Sequence, residues 1–195
     1  LDIRQPYDPS VFPTQLVNPM VDRTMDWRAI EWDPKGKVAY GITCGSGNIL
    51  FRFDTHQGPQ GKITPLTRMC DPKYWDTNQK NIPYAPLAFT VDSKHQKVYF
   101  VPSARHYALG EYEETFGSEQ IHHLVMYDLA SDNRADLGKM VTEDGRRVFG
   151  CEGASAAPDG TVYLVGQVEV KNEADATRYV GDVPTALHLV IYTPR

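Results

Sequence analysis

Four side chains of this sequence are equipped for acid–base work: His106, Tyr107, His123 and His188. An imidazole titrates near neutrality, so a positioned histidine can take a proton, return it, or ligate a metal. His123 opens the apolar run His123–Tyr127, and His188 opens the matching run His188–Tyr192. Side by side, the pair would act as acid and base, or as ligands to a divalent metal, which is the cofactor expectation. The plainer alternative is two strand-end histidines satisfied by backbone or solvent, because spacing sets no carboxylate beside them. Arg105, Arg146, Arg147 and Arg178 carry planar guanidinium groups that can grip carboxylates or sulfates with two bonds. Trp75 and Tyr179, with Tyr74, Tyr84, Tyr107 and Tyr112, offer ring faces on which a sugar can stack or with which a loop can be plugged down. Arg105-His106-Tyr107 is the densest of these clusters. A Tyr or His beside a charge-neutralising Arg is the equipment for removing a proton α to a carboxylate. The alternative is a solvated loop with ordinary surface charges.

Other candidates are less specific. Glu111, Glu113 and Glu114 would suit a paired-carboxylate hydrolase or a Ca²⁺ site, but lack any fixed ligand spacing and read as a solvated acidic loop. Cys44, Cys70 and Cys151 follow no metal spacing. All three are expected in loops on the same side of the fold. A Cys44–Cys70 disulfide or ordinary buried thiols are both open. Cysteine usage leaves the compartment undecided, with a secreted or periplasmic one the expectation.

The elements that must position these groups are strands. Three segments align: Ala29–Tyr40, Ala88–Phe100 and Ala154–Leu164. Each reads as a short apolar strand, a polar turn and a β-branched or aromatic strand. The turns carry Asp33-Pro34-Lys35-Gly36 and Pro158-Asp159-Gly160, chemistry that favours tight reversal. Val38, Val98 and Val162 mark the expected register, at spacings of 98 − 38 = 60 and 162 − 98 = 64. A third strand follows in each unit, at Ile49–Asp54, His123–Asp128 and His188–Tyr192, and a fourth in the first two, near Lys62–Leu66 and Arg134–Met140. No segment has a long helical apolar period. A two-sheet sandwich is the alternative, though it needs no internal repeat.

Four antiparallel strands per unit, evenly repeated, resemble the blades of β-propellers of the WD40-like, YVTN and kelch-like kind. The resemblance runs from about residue 27 to residue 195. The Trp-Asp and Gly-His pairs of WD40 blades are absent at the matching places, as is the kelch double glycine. It implies an all-β fold of about three four-stranded blades, part of a six- to eight-bladed ring. The units are 27–67, 85–140 with an insertion at 103–121, and 152–195 without its fourth strand; residues 1–26 supply an outer strand at Leu1–Arg4 and a connector. The remaining blades would come from a missing N-terminal part or from another chain, in keeping with a chain that starts at Leu1 with no leader segment. Long loops, 103–120, 167–186, 68–85 and 141–152, gather on one end, the short turns on the other. Function usually sits on such loops. The hairpins and long loops are also distantly similar to propeller-fold polysaccharide lyases. That likeness implies an acidic glycan as ligand, with His106, Tyr107, His123 and His188 in proton transfer and the arginines holding anions. A non-catalytic propeller that binds a protein or glycan is the other reading.

Composition bounds these readings. The 195 residues carry 20 Lys+Arg against 25 Asp+Glu, a net charge of −5, which argues against a nucleic-acid groove. The 41% hydrophobic share is enough for a core. No apolar run reaches the roughly 18 residues of a membrane-spanning helix.

Overall fold

Residues of alternating character, broken by Asp-led turns, form antiparallel strands throughout. The computed structural model describes residues 27–43, 49–58, 61–68, 83–84, 88–104, 123–180 and 182–194. Sheet 1 is the meander β1 (Trp27–Asp33), β2 (Val38–Thr43), β3 (Ile49–Asp54) and β4 (Lys62–Arg68). A short ladder joins β5 (Pro83–Tyr84) to β8 (Ser103–Ala104). Sheet 2 holds β6 (Phe89–Asp92), β7 (Lys97–Phe100), β9 (His123–Asp128) and β10 (Asn133–Lys139), again in chain order. Sheet 3 runs β11 (Val148–Ala156), β12 (Val162–Glu169), β14 (Val183–Tyr192), β13 (Arg178–Val180). The fold is all-β, built of antiparallel four-stranded sheets. Among the described residues no helix is long and apolar enough to cross a membrane.

The turns share one device. Asp33, Asp92 and Asp128 each accept a backbone N–H from two or three residues ahead, and the turn closes on a left-handed residue, Lys37 (φ 54°), Gln96 (φ 56°) or Asp132 (φ 57°). An aspartate that mimics the backbone holds such a reversal in place, and offsets the strain of a left-handed non-glycine residue.

Two apolar clusters stack the sheets. The first unites Val38, Tyr40, Ile42 and Leu50 of sheet 1 with Phe89, Val91, Val98, Phe100, Val125 and Tyr127 of sheet 2. The second unites Tyr99 and Leu124 on the other face of sheet 2, and the flanking Ala88 and Val101, with Val148, Cys151, Val162, Leu164 and Val168 of sheet 3. Sheet 2 is thus covered on both faces at its inner strands, where Phe89, Val91, Val98, Phe100, Val125 and Tyr127 face sheet 1 and Tyr99 and Leu124 face sheet 3, whereas the outer β10 is largely polar. Polar bonds link the first strands of neighbouring sheets: Glu31 accepts the Val91 N–H at 2.9 Å, and Thr90 Oγ1 accepts the Ala156 N–H at 3.0 Å. Lysines tie the turns together, Lys35 Nζ to the Lys94 carbonyl at 3.4 Å and Lys94 Nζ to the Pro158 carbonyl at 2.9 Å. The sheet 3 turn packs so closely that a Cβ on Gly160 would sit 3.2 Å from the His95 ring.

The ladders correct the expected register in one unit. Val98 pairs with Tyr127 and Val162 with Tyr192, so these two valines are equivalent. In sheet 1 the residue in that place is Ala39, opposite Phe53, and Val38 matches Lys97 instead. The Asp33 turn and the Asp92 turn both enclose four residues, whereas the valines lie at different distances from them. One residue of slip exchanges the faces: Val38 faces the following sheet, whereas Val98 faces the preceding one, and the two meet in the same cluster. The third unit differs too: β13 takes the outer place expected to be empty, but only for three residues, and comes from the loop before β14. The expected outer strand at Leu1–Arg4 lies outside the described residues.

Candidate functional site at the loop-rich end

In each sheet the chain turns tightly between its first and second strands. The longer connections, from second strand to third and from sheet to sheet, fall at the opposite end. Residues 170–180 and 140–147 belong to two of these connections, and a third leaves β7 at 101–104 and re-enters at His123, with 105–122 outside the described residues. Of the residues singled out by sequence, Trp75, Arg105, His106 and Tyr107 lie outside the described residues, as do Tyr74, Tyr112, the three glutamates, Cys44 and Cys70.

His123, the first residue of β9, has a partner that spacing did not reveal. Its Nδ1 lies 2.8 and 2.9 Å from the two carboxylate oxygens of Asp136 on β10. In the ladder Asp136 stands opposite Val125, and His123 opposite Lys139. An irregularity between Asp136 and Lys139, with Gly138 at φ 94° donating its N–H to Asp136, bends the strand and aims the carboxylate at the ring. An ionised carboxylate only accepts hydrogen bonds, so Nδ1 carries a proton and the neutral ring presents its lone pair on Nε2. That Nε2 is buried and has no hydrogen-bond partner among the described residues. The His123 side chain as a whole is 12% exposed and that of Asp136 26%.

His188 lies well inside β14 instead of opening a strand, opposite Gly166. It is the ladder equivalent of His123, on the neighbouring sheet. Its Nδ1 bonds the Ala186 carbonyl at 3.0 Å, which fixes the same tautomer without a carboxylate. No group of three or more His, Cys, Asp or Glu side chains with metal-ligand geometry occurs among the described residues.

The arginines are held by carboxylates of the chain itself. Arg146 Nε lies 2.9 Å from Asp144, in the turn that joins sheets 2 and 3. The Thr142 hydroxyl, then Arg146, hold the Asp144 carboxyl well below the usual carboxylate range. Arg147 Nε lies 3.1 Å from Glu169, and its guanidinium sits 4.8 Å from the Phe149 ring centre. That bond lowers the Glu169 carboxyl. Arg178 Nη1 lies 4.0 Å from Glu152. The Tyr179 hydroxyl donates to Glu173 at 2.8 Å, which raises its proton affinity. Arg146 and Arg147 thus sit on the connector and Arg178 and Tyr179 on β13, all at the loop-rich end, each in contact with an acidic residue.

Cys151 departs from its expected place. It lies in β11, not in a loop, and is buried in the core between sheets 2 and 3. Burial pushes its thiol up to about 12. Nucleophilic sulfur needs the thiolate, so this cysteine is a packing residue. No family model matches the sequence, and no curated protein matches it.

Proposed function

We propose that the chain contributes three blades to a β-propeller whose loop-rich end binds an acidic polysaccharide, and that His123 is the base of a lyase-type cleavage. Support for the blades comes from the three successive four-stranded meander-like sheets, stacked face to face with equivalent polar links. The observation that carries the chemistry is the His123–Asp136 pair, with an Nε2 that has no partner among the described residues. A buried polar atom without a partner costs about 1–3 kcal/mol. Such atoms persist where chemistry uses them. An imidazole whose Nδ1 proton is held by a carboxylate is the arrangement of a general base. In the step proposed, Nε2 takes the proton α to a uronate carboxylate. The C–H electron pair forms a carbon–carbon double bond, and the glycosidic C–O bond breaks toward the departing sugar, which receives a proton. Residues 105–122 lead directly into His123, so Arg105, His106 and Tyr107 belong to the same functional connection.

The test is ultraviolet absorbance of unsaturated uronate, followed over a panel of uronate-containing polysaccharides. His123→Gln should lower the rate about 10²–10⁴-fold, and Asp136→Asn should lower it less, both with unchanged melting temperature. No unsaturated product from the wild-type chain defeats the lyase reading. A second reading, a non-catalytic surface for a protein or glycan, is favoured by the internal pairing of Arg146, Arg147 and Arg178 with carboxylates. Retarded migration in gels cast with an acidic polysaccharide, without product, would select it.

A further inference from the structure

The ladders make four positions equivalent in the three sheets. Tyr40, Tyr99 and Tyr163 stand opposite Arg52, Met126 and Ile191. One step along the same face, Ile42 pairs with Leu50 and Val165 with Leu189. Val101, just past β7, and Leu124 hold the matching places in sheet 2. In sheet 1 this face is buried on sheet 2, and in sheet 2 it is buried on sheet 3, with Tyr99 and Val101 1% exposed and Leu124 3%. In sheet 3 the same face is bare: Tyr163 is 37% exposed, Val165 43%, Leu189 62% and Ile191 59%. A contiguous apolar face of this kind marks an interaction surface.

The polar link points the same way. Glu31 and Thr90 are equivalent, and each accepts the N–H of the next sheet's residue one position further on, Val91 and Ala156. Ser155 is the third member of that series and is exposed. Trp32 is the first member of the donor series. Trp32 and its neighbour Ile30 are 49% and 54% exposed, whereas their equivalents Val91 and Phe89 lie buried against sheet 1. One chain therefore carries both halves of an interface it has already made twice.

We propose that sheet 3 docks sheet 1 of a second copy of this chain, with Tyr163, Val165, Leu189 and Ile191 covering Ile30 and Trp32, and Ser155 accepting the Trp32 N–H. The contact is head-to-tail, so two copies making it reciprocally form a closed set of six sheets, inside the range of closed propellers. It follows only if the sheets stack as propeller blades do, and it is independent of catalysis. The test is sedimentation velocity of the 195-residue chain from about 1 to 100 µM, where twice the single-chain mass is expected. Leu189→Glu and Ile30→Lys should each weaken association at least tenfold with unchanged circular dichroism. Mixing the two variants should restore it, because the opposite charges then meet across one interface while the other is intact. A single-chain mass throughout the range overturns the proposal, and so does slow hydrogen exchange of the sheet 3 face in such a monomer, which would place a different cover on it. A dimer broken by Leu189→Glu but untouched by Ile30→Lys also overturns it, since that pattern is sheet 3 on sheet 3. Dimerisation without lyase activity would leave this interface standing and remove only the catalytic reading.

Discussion

The two internal sheet interfaces do the same job with different chemistry. Between sheets 1 and 2 the link is a carboxylate, Glu31, which accepts both the Val91 N–H and the Thr90 hydroxyl, the latter at 3.4 Å. Between sheets 2 and 3 it is a hydroxyl, Thr90 again, which accepts the Ala156 N–H while it donates to Glu31. Thr90 is therefore the hub of one polar chain through all three sheets. A charge is costlier to bury than a hydroxyl, and desolvation raises the Glu31 carboxyl above its ordinary value although two hydrogen bonds oppose the rise. Position along the strand is what the repeat keeps constant. The group that fills it need only be an acceptor.

The comparison can be broken most forcefully in the apolar layer. Leu50 and Leu124 are equivalent and buried, one in each interface. Leu50→Ala and Leu124→Ala should each cost about 2–5 kcal/mol in urea unfolding. Costs that differ by much more than the usual spread would mean that the interfaces are not equivalent. Next in size is the hub. Thr90→Val removes the acceptor of the Ala156 N–H and one donor to Glu31, and should cost about 1–3 kcal/mol. Glu31→Gln keeps an oxygen for Val91 and should cost less than Thr90→Val. If Glu31→Gln proves the more damaging, the carboxylate charge itself is what holds sheets 1 and 2.

Much of this arrangement was legible in the sequence. The third strands Ile49–Asp54, His123–Asp128 and His188–Tyr192 align in the structure as they align in the sequence, because each is a mostly apolar run with no turn inside it to blur the count. At Val38 the structure differs from the sequence alignment by one residue, because turn length decides the register of the first hairpin and a valine does not report turn length. The connections expected within 141–152 and 167–186 do leave one end of the sheets, while most of 68–85 and 103–120 lies outside the described residues. The His123–Asp136 pair was not legible, since it depends on a strand irregularity near Gly138 that brings together residues not opposite in the ladder. Nor were the partners of the arginines: Glu169 reaches Arg147 from β12, and Glu152 reaches Arg178 from β11, across strands whose register must be known first. Cys151 looked like a loop residue because β11 begins as early as Val148, within what reads as a polar connector.

The smallest expected effect sharpens the contrast between the core and the loop-rich end. Glu31 has a raised carboxyl, so its contribution to stability is present below the unfolded value near 4.5 and is lost as pH rises through the folded value. Glu169 has a lowered one, first through its bond to Arg147, so its contribution is present above that same unfolded value and is lost as pH falls through the folded value. The two glutamates should thus have opposite pH dependence in one molecule. Melting temperatures of the wild type, Glu31→Gln and Glu169→Gln from pH 3.5 to 7.5 measure this. The wild type should gain on Glu31→Gln toward acid and gain on Glu169→Gln toward neutrality. The second gain is the smaller: the Arg147 and Glu169 side chains are 48% and 31% exposed, and a water-screened pair contributes about 0–1 kcal/mol. It should fade in 1 M salt, whereas the Glu31 dependence, set by burial, should persist. Parallel slopes for the two variants would mean that Glu31 is held by charge in the same way as the surface pair, and that the polar chain through Thr90 is not a buried link.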